Sequence, residues 1–210
     1  MGDIVQARPD AAHARLAVSR HACDLFWAKG VAATSGDEIS AAAGLSTRTI
    51  WRYFRSKESC VEPVLATSAD RFVAIMSRWP DNLSLSEHLA ANAESNPLSD
   101  DDMEDERRSM RIATLSLEDP TLRTSYLMVH DYMEKGLLPI LARRLNLDES
   151  DLTVKLYAAA VTGAFRVIDE VVSVEVIVDK KKYTQQEALA LMDRAITEAT
   201  YGRLGGPVTR

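Results

Sequence analysis

Residues 47–53 carry hydroxyl, guanidinium and aromatic side chains at a spacing that suits contact with a nucleic acid. Ile50 and Phe54 stand four residues apart, which predicts a helix that buries these two side chains. The opposite face then turns outward and presents Thr47, Arg48, Thr49, Trp51, Arg52 and Tyr53. Arginine and hydroxyl side chains bond base edges and phosphates, so this face suits the major groove of DNA.

A short helix and a tight turn are predicted directly before this polar face. Thr34 and Ser35 can accept the first free N–H groups of the short helix, and Glu38 stands near the capping-box position. Gly44 is expected to end that helix, because glycine enters the left-handed region without a Cβ clash. Ser46 or the residue after it then caps the next helix. The pattern predicts a helix-turn-helix; the alternative is a helical hairpin whose polar face is only solvated.

Several fixed spacings agree at once over roughly the first 60 residues. They lie in residues 22–30 (ACDLFWAKG), Thr34, residues 39–46 (ISAAAGLS), residues 49–54 (TIWRYF) and Ser56-Lys57-Glu58. In these stretches the chain resembles the DNA-binding domain of the TetR family of bacterial transcription regulators. The resemblance implies an all-α fold of about nine helices. It places a helix-turn-helix DNA-binding domain with a flexible arm in residues 1–56, and a helical regulatory and dimerisation domain in residues 57–210.

The resemblance also implies roles for the residues of the polar face. The expected phosphate contacts, which set the register on the duplex, come from Thr34, Tyr53 and Lys57. The expected base contacts come from Thr47, Arg48, Thr49 and Trp51, with Ser46 at the start of the same helix. Arg48 is the candidate for guanine O6 and N7, whereas Arg52 serves either a phosphate or a pair on the helix surface. Lys57 is expected to act together with the N-terminal amides of the fourth helix.

Two residues depart from the family pattern. Gly36 stands where the family usually has a larger residue, and this is expected to loosen the first turn of the second helix. Trp51 replaces the usual Tyr or Phe, so its contact is expected to be apolar, to a thymine methyl group or a sugar.

The charge distribution fits a chain that binds DNA at one end only. Residues 1–57 contain 8 Lys/Arg and 5 Asp/Glu, whereas residues 58–210 contain 17 and 26. Because the overall charge is −6, the positive charge has to be gathered on one surface for DNA binding. Apolar residues make up 46% of the 210, and 7 prolines and 9 glycines are too few for a turn-rich all-β fold.

Sequence motifs argue against a membrane protein and against an enzyme. No run of about 18 apolar residues occurs, and the start, MGDIVQARPD, has no apolar signal core, so a cytoplasmic, nucleoid-associated protein is expected. The four histidines are scattered, and neither an H-E-x-x-H motif nor a Gly-rich phosphate loop is present. We therefore expect no catalysis, no metal and no cofactor. Cys23 and Cys60 fall at core positions and are expected to be buried thiols; a redox switch is the alternative.

Capping residues and prolines predict five more helices after a connecting helix at about 57–78. Pro139 is expected to kink the longest of them. The run 171–178, VVSVEVIV, suits a strand on propensity, yet no second strand of similar character exists to pair with it. We interpret this run as the end of the eighth helix and the loop beyond. Residues 180–182, KKK, indicate a solvated loop, with a nucleic-acid contact as the alternative.

Small residues repeat along the eighth helix and indicate a surface for self-association. The expected dimer interface consists of Ala159, Ala160, Gly163, Ala164, Val167, Leu189, Met192 and Ile196. Small side chains let helices approach closely, although they serve packing within one chain equally well. In the TetR family the last two helices pair with their copies. The resemblance therefore implies a homodimer on a palindromic operator, with recognition helices about 34–36 Å apart.

The resemblance further implies a pocket for an unknown small-molecule effector between helices 4 and 7. Its candidate lining residues are Met103, Met110, Arg111, Tyr126, Met128, His130 and Met133, with Tyr132 beside them. The alternative is that these side chains are ordinary core. A repressor released by its effector is the interpretation that follows. The competing hypothesis is a protein-interaction or ligand-binding module of the same fold that has lost DNA binding, against which the intact Arg48, Tyr53 and Lys57 argue.

Overall fold

The computed structural model describes residues 11–208, and within them every regular element is helical. The α-helices are α1 (Ala11–Lys29), α2 (Gly36–Ala42), α3 (Thr47–Tyr53), α4 (Glu62–Ser77), α5 (Leu85–Ser95), α6 (Asp100–Ser116), α7 (Pro120–Leu145), α8 (Leu152–Ile177) and α9 (Gln185–Ala199). A 3-10 turn, Glu58–Val61, leads into α4. The all-α prediction with nine helices is thus confirmed for these residues, and the expected arm in residues 1–10 lies outside them.

Local capping explains where most of these helices begin. Four of them start with a complete capping box, in which a Ser or Thr and the acidic residue three positions later satisfy each other's backbone N–H groups. The four pairs are Ser35–Glu38, Ser84–Glu87, Ser99–Asp102 and Thr184–Glu187. Asp119 and Asp151 cap the two long helices α7 and α8. Each cap satisfies donors that a helix end otherwise leaves free.

One hydrophobic core runs from α1–α3 into the rest of the chain. Phe26, Ile39 and Ile50 are fully buried where the first three helices meet. Val61 and Val64 at the start of α4 continue that core without a break. Helices α1–α3 are therefore packed directly on α4 rather than tethered to it.

The fourth helix begins later than the sequence indicated. Ser56 and Ser59 bond each other's backbone and side chain, which holds residues 56–59 in a tight turn before α4 starts at Glu62. Pro63 lies in the first turn of α4, where its missing N–H costs least. The N-terminal amides of α4 are thus separated from Lys57 by the 3-10 turn.

The two longest helices are continuous through Pro139 and through most of the β-branched run 171–178. α7 remains helical through Pro139 to Leu145. α8 continues to Ile177, so most of the β-branched run 171–178 is helix and the loop begins only at its end. Ser173 and Ile177 are buried, which shows that this segment packs one face inward at helical spacing. That packing overrides strand propensity.

No helix within residues 11–208 is both long and apolar enough to span a bilayer. The same residues contain no group of three or more His, Cys, Asp and Glu side chains arranged to hold a metal ion.

Candidate nucleic-acid interface

The loop before α2 is held by a compact set of hydrogen bonds. The Thr34 hydroxyl donates to the carbonyl of Gly30 (2.9 Å) and is only 1% exposed. The Lys57 ammonium donates to the carbonyls of Val31 (2.7 Å) and Thr34 (2.8 Å). Two of its three donors are therefore used within the chain. Thr34 was expected to contact a phosphate; this is wrong for its side chain, which is buried and orders the loop instead.

The turn between α2 and α3 sets the direction of the polar face. Gly44 adopts φ +64°, a left-handed conformation that a side chain would strain, and Leu45 N–H bonds back to the Ser40 carbonyl (3.0 Å). Ser46 caps α3 by accepting from Thr49 N–H (3.2 Å). These contacts confirm the predicted helix, glycine turn and second helix. They leave the hydroxyl of Ser46 bonded within its own helix end.

Two of the predicted base-contacting threonines are tied to neighbouring side chains. The Thr47 hydroxyl donates to Asp37 Oδ1 on α2 (2.9 Å), which pins the start of α3 to the first turn of α2. The Thr49 hydroxyl lies 2.8 Å from that of Ser46. Both threonines are partly exposed, so their methyl groups and free lone pairs remain accessible while their hydroxyls are oriented.

The exposed part of α3 is dominated by Arg48, Trp51 and Arg52. Within residues 11–208 no hydrogen bond or ion pair engages the Arg48 guanidinium, so its five donors are free for a ligand. The Arg52 guanidinium stacks on the Tyr53 ring at 5.0 Å and donates to its hydroxyl (3.3 Å). Arg52 and Tyr53 therefore form a pair on the helix surface, beside an unengaged Arg48.

Gly36 and Trp51, the two departures from the family pattern, pack against each other. A Cβ on Gly36 would lie 2.2 Å from Cζ2 and 2.8 Å from Cη2 of the Trp51 indole. The ring thus rests on the first turn of α2, in space that only a glycine leaves open. Gly36 was expected to loosen that turn; this is wrong, because the capping box of Ser35 and Glu38 is complete. The indole is held in place while 44% of Trp51 stays exposed.

The residues predicted to line an effector pocket are spread over three places. Met103, Met110 and Arg111 lie on α6, where Arg111 contacts Asp24 and Glu104. Met128 and Tyr132 are exposed in an open groove of about 720 Å³ between α1, α4 and α7. Tyr126, His130 and Met133 are buried inside the helical bundle. The prediction of one pocket lined by all of them is therefore wrong. These residues lie at similar spacings within their helices, but the helices do not bring them to one surface.

The buried members of this set lie in a polar and aromatic layer between α7 and α8. The Tyr126 hydroxyl donates to Asp169 Oδ2 (2.7 Å), and burial raises the pKa of Asp169 to about 6. His130 Nδ1 lies 3.0 Å from the Tyr126 carbonyl, which can only accept, so Nδ1 carries the proton. Burial lowers the pKa of His130, and the neutral ring leaves Nε2 as an acceptor with no partner within residues 11–208. Phe165 packs its ring 6.0 Å from the imidazole.

Along α8, apolar and small residues form an outward row at spacings of three and four, in which every member except the half-buried Gly163 is exposed. This α8 outer stripe consists of Leu152, Leu156, Ala159, Gly163, Val167 and Val171. Its large members are 48 to 70% exposed, and a Cβ on Gly163 would meet nothing within 4 Å. Ala160 and Ala164 lie beside it and are half-buried. The sequence interpretation missed the two leucines, although they continue the same spacing.

The α9 residues assigned to this surface differ in burial. Ile196 is fully buried, and Leu189 and Met192 pack against the core of their own chain. The assignment of Ile196 to a dimer interface is therefore wrong, because its own chain covers it, whereas the assignment of the half-buried Leu189 and Met192 stays a prediction.

Comparison with known proteins identifies the architecture. The model of a family described as bacterial regulatory proteins, tetR family, matches residues 20–64. A second model, described as the MftR C-terminal domain, matches residues 88–200, more than half of the chain. The chain belongs to the TetR family. TetR regulators pair a helix-turn-helix DNA-binding domain with a C-terminal ligand-binding domain and are typically not enzymes. No curated protein matches the chain.

Solved structures share the fold at low sequence identity. A TetR-family regulator from Streptomyces coelicolor has 17% identity and a TM-score of 0.54, over 90% of this chain and 82% of that one. GusR of Salmonella enterica has 16% identity and a TM-score of 0.53, over 92% and 97%. FadR of Bacillus subtilis, solved with stearoyl-CoA, has 16% identity and a TM-score of 0.51, over 89% and 98%. At these identities the likeness concerns the fold alone.

Proposed function

We propose that this TetR regulator is a repressor that binds a palindromic operator as a homodimer and is released by a small-molecule effector. Residues 1–56 form the domain that binds DNA, and residues 57–210 form the domain responsible for dimerisation and regulation. The protein acts in the cytoplasm, at the nucleoid, without catalysis or a cofactor.

One observation carries the proposal: the unengaged guanidinium of Arg48 on a helix whose start is fixed by three separate contacts. The Ser46 cap, the Thr47–Asp37 bond and the Gly44 turn hold α3, while Arg48 has no partner in the described chain. A bidentate arginine contact to guanine discriminates bases by about 1–3 kcal/mol. A free guanidinium on a rigid, exposed helix is suited to that contact, because little conformational freedom of the helix remains to be lost on binding.

The remaining contacts divide between base edges and phosphates. Trp51 offers an apolar edge to a thymine methyl group or a sugar, and Thr47 and Thr49 flank Arg48. Tyr53 with its stacked Arg52 suits a phosphate. Two of the three N–H groups of Lys57 are bonded to loop carbonyls, so the third is the one that can donate to a backbone phosphate. Thr34 is left out of the interface, since its side chain is buried.

The α8 outer stripe supports the homodimer. Exposed leucine and valine side chains on one helix face are unfavourable in water and become favourable when a second copy covers them. The glycine and alanine positions within the stripe let two helices approach closely. Two-fold symmetry then places two recognition helices on one side of a duplex, which a palindrome matches.

The layer around His130 supports an effector site between α7 and α8. The unpaired Nε2 is an acceptor, so an effector that binds there has to donate a hydrogen bond from a hydroxyl or N–H group. Phe165 and Tyr126 supply apolar walls beside it. Such a ligand releases the operator only when it binds the DNA-incompetent arrangement more tightly than the competent one.

Selection of the operator from random DNA, followed by one variant pair, tests the proposal. Arg48→Ala should relax specificity at one base pair per half-site, with a loss of about 1–3 kcal/mol there. Arg194→Ala, an exposed arginine on α9, serves as the control and should bind as the parent does. If Arg48→Ala weakens all sequences equally, Arg48 only holds the backbone. If no sequence is enriched and no DNA is bound at low salt, the protein is the interaction module instead.

A further inference from the structure

Four charged side chains join α1 to α6, and we call them the α1–α6 clasp: Arg20, Asp24, Asp105 and Arg108. Arg20 donates twice to Asp105, from Nε to Oδ1 (2.9 Å) and from Nη2 to Oδ2 (2.7 Å). Arg108 donates from Nη1 to Asp105 Oδ1 (3.0 Å) and from Nε to Asp24 Oδ1 (3.0 Å). Asp105 is therefore shared between two guanidinium groups, whereas Asp24 is bonded to Arg108 and lies 3.9 Å from Arg111, outside the clasp.

Asp105 is the centre of the clasp and its most buried member. Its side chain is 5% exposed, whereas those of Arg20 and Asp24 are 35% and 45% exposed. A buried carboxylate is tolerated only when it is paired and hydrogen-bonded, and two guanidinium groups supply that here. The bidentate geometry of Arg20 fixes an angle as well as a distance. The contact between the two helices is therefore orientationally specific in a way that apolar packing is not.

The same helix also holds the connector α4. Glu106, next in sequence, accepts from the Ser68 hydroxyl (2.8 Å) and pairs with Arg71. Asp102 pairs with Arg71 as well (3.1 Å). α6 therefore contacts both α1 and α4, the two helices that hold the recognition helix in place. α1 is joined to α2 by the Lys29–Glu38 ion pair, and α4 follows α3 through the 3-10 turn.

We propose that Asp105 is a positioning residue for operator binding, which fixes the angle of α1–α3 against α6 and so sets the distance between the two recognition helices. This rests on the proposed operator-binding dimer. The two half-sites of an operator lie one helical turn apart. If the α1–α3 unit tilted freely against α6, the dimer would lose its preference for that spacing.

The first experiment needs no DNA. A spin label at Ala41→Cys, an exposed α2 position, reports the distance between the two α1–α3 units of the dimer. The label attaches only there, because Cys23 and Cys60 are buried. Asp105→Asn keeps the shape of the side chain but turns an N–H₂ donor toward an arginine. We expect a broader distance distribution than in the parent. Asp131→Asn, which removes an exposed pair with Lys135 on α7, is the matched control and should leave the width unchanged.

The second experiment uses the selected operator with its half-sites moved apart or together by one base pair. The parent should lose at least about tenfold in affinity on either altered site, and Asp105→Asn less than about threefold. Binding to a single half-site should be the same for both. An unchanged width together with an unchanged spacing preference would overturn the proposal. So would an equal loss by Asp105→Asn on every site, single half-sites included.

A third variant covers a failure of Asp105→Asn to fold. Asp24→Asn removes the outer half of the clasp without leaving a buried group unpaired, and should broaden the distribution to a smaller degree. If Asp24→Asn matches the parent while Asp105→Asn is unfolded, the clasp serves stability only and the proposal is overturned. A parent that binds no DNA, yet shows the narrow distribution that Asp105→Asn broadens, contradicts the proposed function but not the part of the inference in which Asp105 fixes the angle of α1–α3 against α6.

Discussion

Replacement of Gly36 by alanine tests the packing that distinguishes this recognition helix. The new Cβ would stand 2.2 Å from Cζ2 of Trp51, far inside van der Waals contact, so the indole has to move. Overpacking of this kind costs about 1–3 kcal/mol. Alanine regains at most about 1 kcal/mol through its higher helix propensity, and less than that at the first residue of a helix. The contacted atoms belong to the outer end of a partly exposed side chain that can rotate away, so the cost lies near the lower end of this range. We therefore expect Gly36→Ala to lower the free energy of unfolding by at most about 1 kcal/mol.

The assay is chemical denaturation of four proteins: the parent, Gly36→Ala, Trp51→Ala and the double variant. All four are measured at one protomer concentration, because dimerisation contributes to apparent stability. With the indole absent, Gly36→Ala should be neutral or stabilising. The coupling between the two positions should then be about 1 kcal/mol, above the ~0.3–0.5 kcal/mol expected of independent sites. In thermal unfolding, each kcal/mol corresponds to roughly 2–4 °C for a chain of this size.

Additive effects of the two substitutions would refute the reasoning, since they would mean that the ring does not rest on Gly36. A second outcome bears on function. Because the indole is partly exposed and can rotate outward, Gly36→Ala should change base preference at the position that Trp51 reads, even where the loss of stability is small. Trp51→Ala should change the preference at the same base pair.

Three further predictions concern other parts of the chain. Burial holds the pKa of Asp169 near 6, above the value of about 4 in an unfolded chain, so the folded state binds the extra proton between these values. The free energy of unfolding should therefore fall as pH rises from about 4 to about 6, and Asp169→Asn should flatten this part of a pH series of denaturation curves. Burial raises the pKa of both thiols, that of Cys60 to about 12, so neither Cys23 nor Cys60 should react with a thiol reagent at pH 8 until the protein is unfolded; rapid labelling of the native protein would contradict this. Leu156→Glu should dissociate the dimer in analytical ultracentrifugation, whereas Lys155→Glu, the adjacent exposed position outside the α8 outer stripe, should not.

Local chemistry made the helix starts and turns predictable from sequence. The capping box of Ser35 and Glu38 and the left-handed Gly44 depend on residues within four positions of each other, and both are present. Such signals do not depend on the rest of the fold. The family resemblance extended them to the whole architecture, because many fixed spacings agreed at once.

Contacts between distant segments were not predictable in this way. Helical spacing grouped Leu189 and Ile196 on one apolar face, but it did not show that the chain itself buries Ile196 completely and Leu189 only in part. Spacing likewise could not separate the exposed Met103 from the buried Met133. Gly36 and Trp51 were each noticed as departures from the family pattern. Their contact became visible only once α2 and α3 were placed against each other.

The central claim is that α3 of each protomer reads one half of a palindromic operator, and salt-dependent binding to the selected operator tests it most directly. Fluorescence anisotropy on the selected duplex and on a scrambled one gives affinity against salt concentration. We predict two protomers per duplex, at least about 10³-fold preference over the scrambled sequence, and a steep loss of affinity with salt, since each phosphate contact contributes a slope near −0.9 in log–log form. Equal affinity for both duplexes, or an affinity that does not respond to salt, would contradict the account.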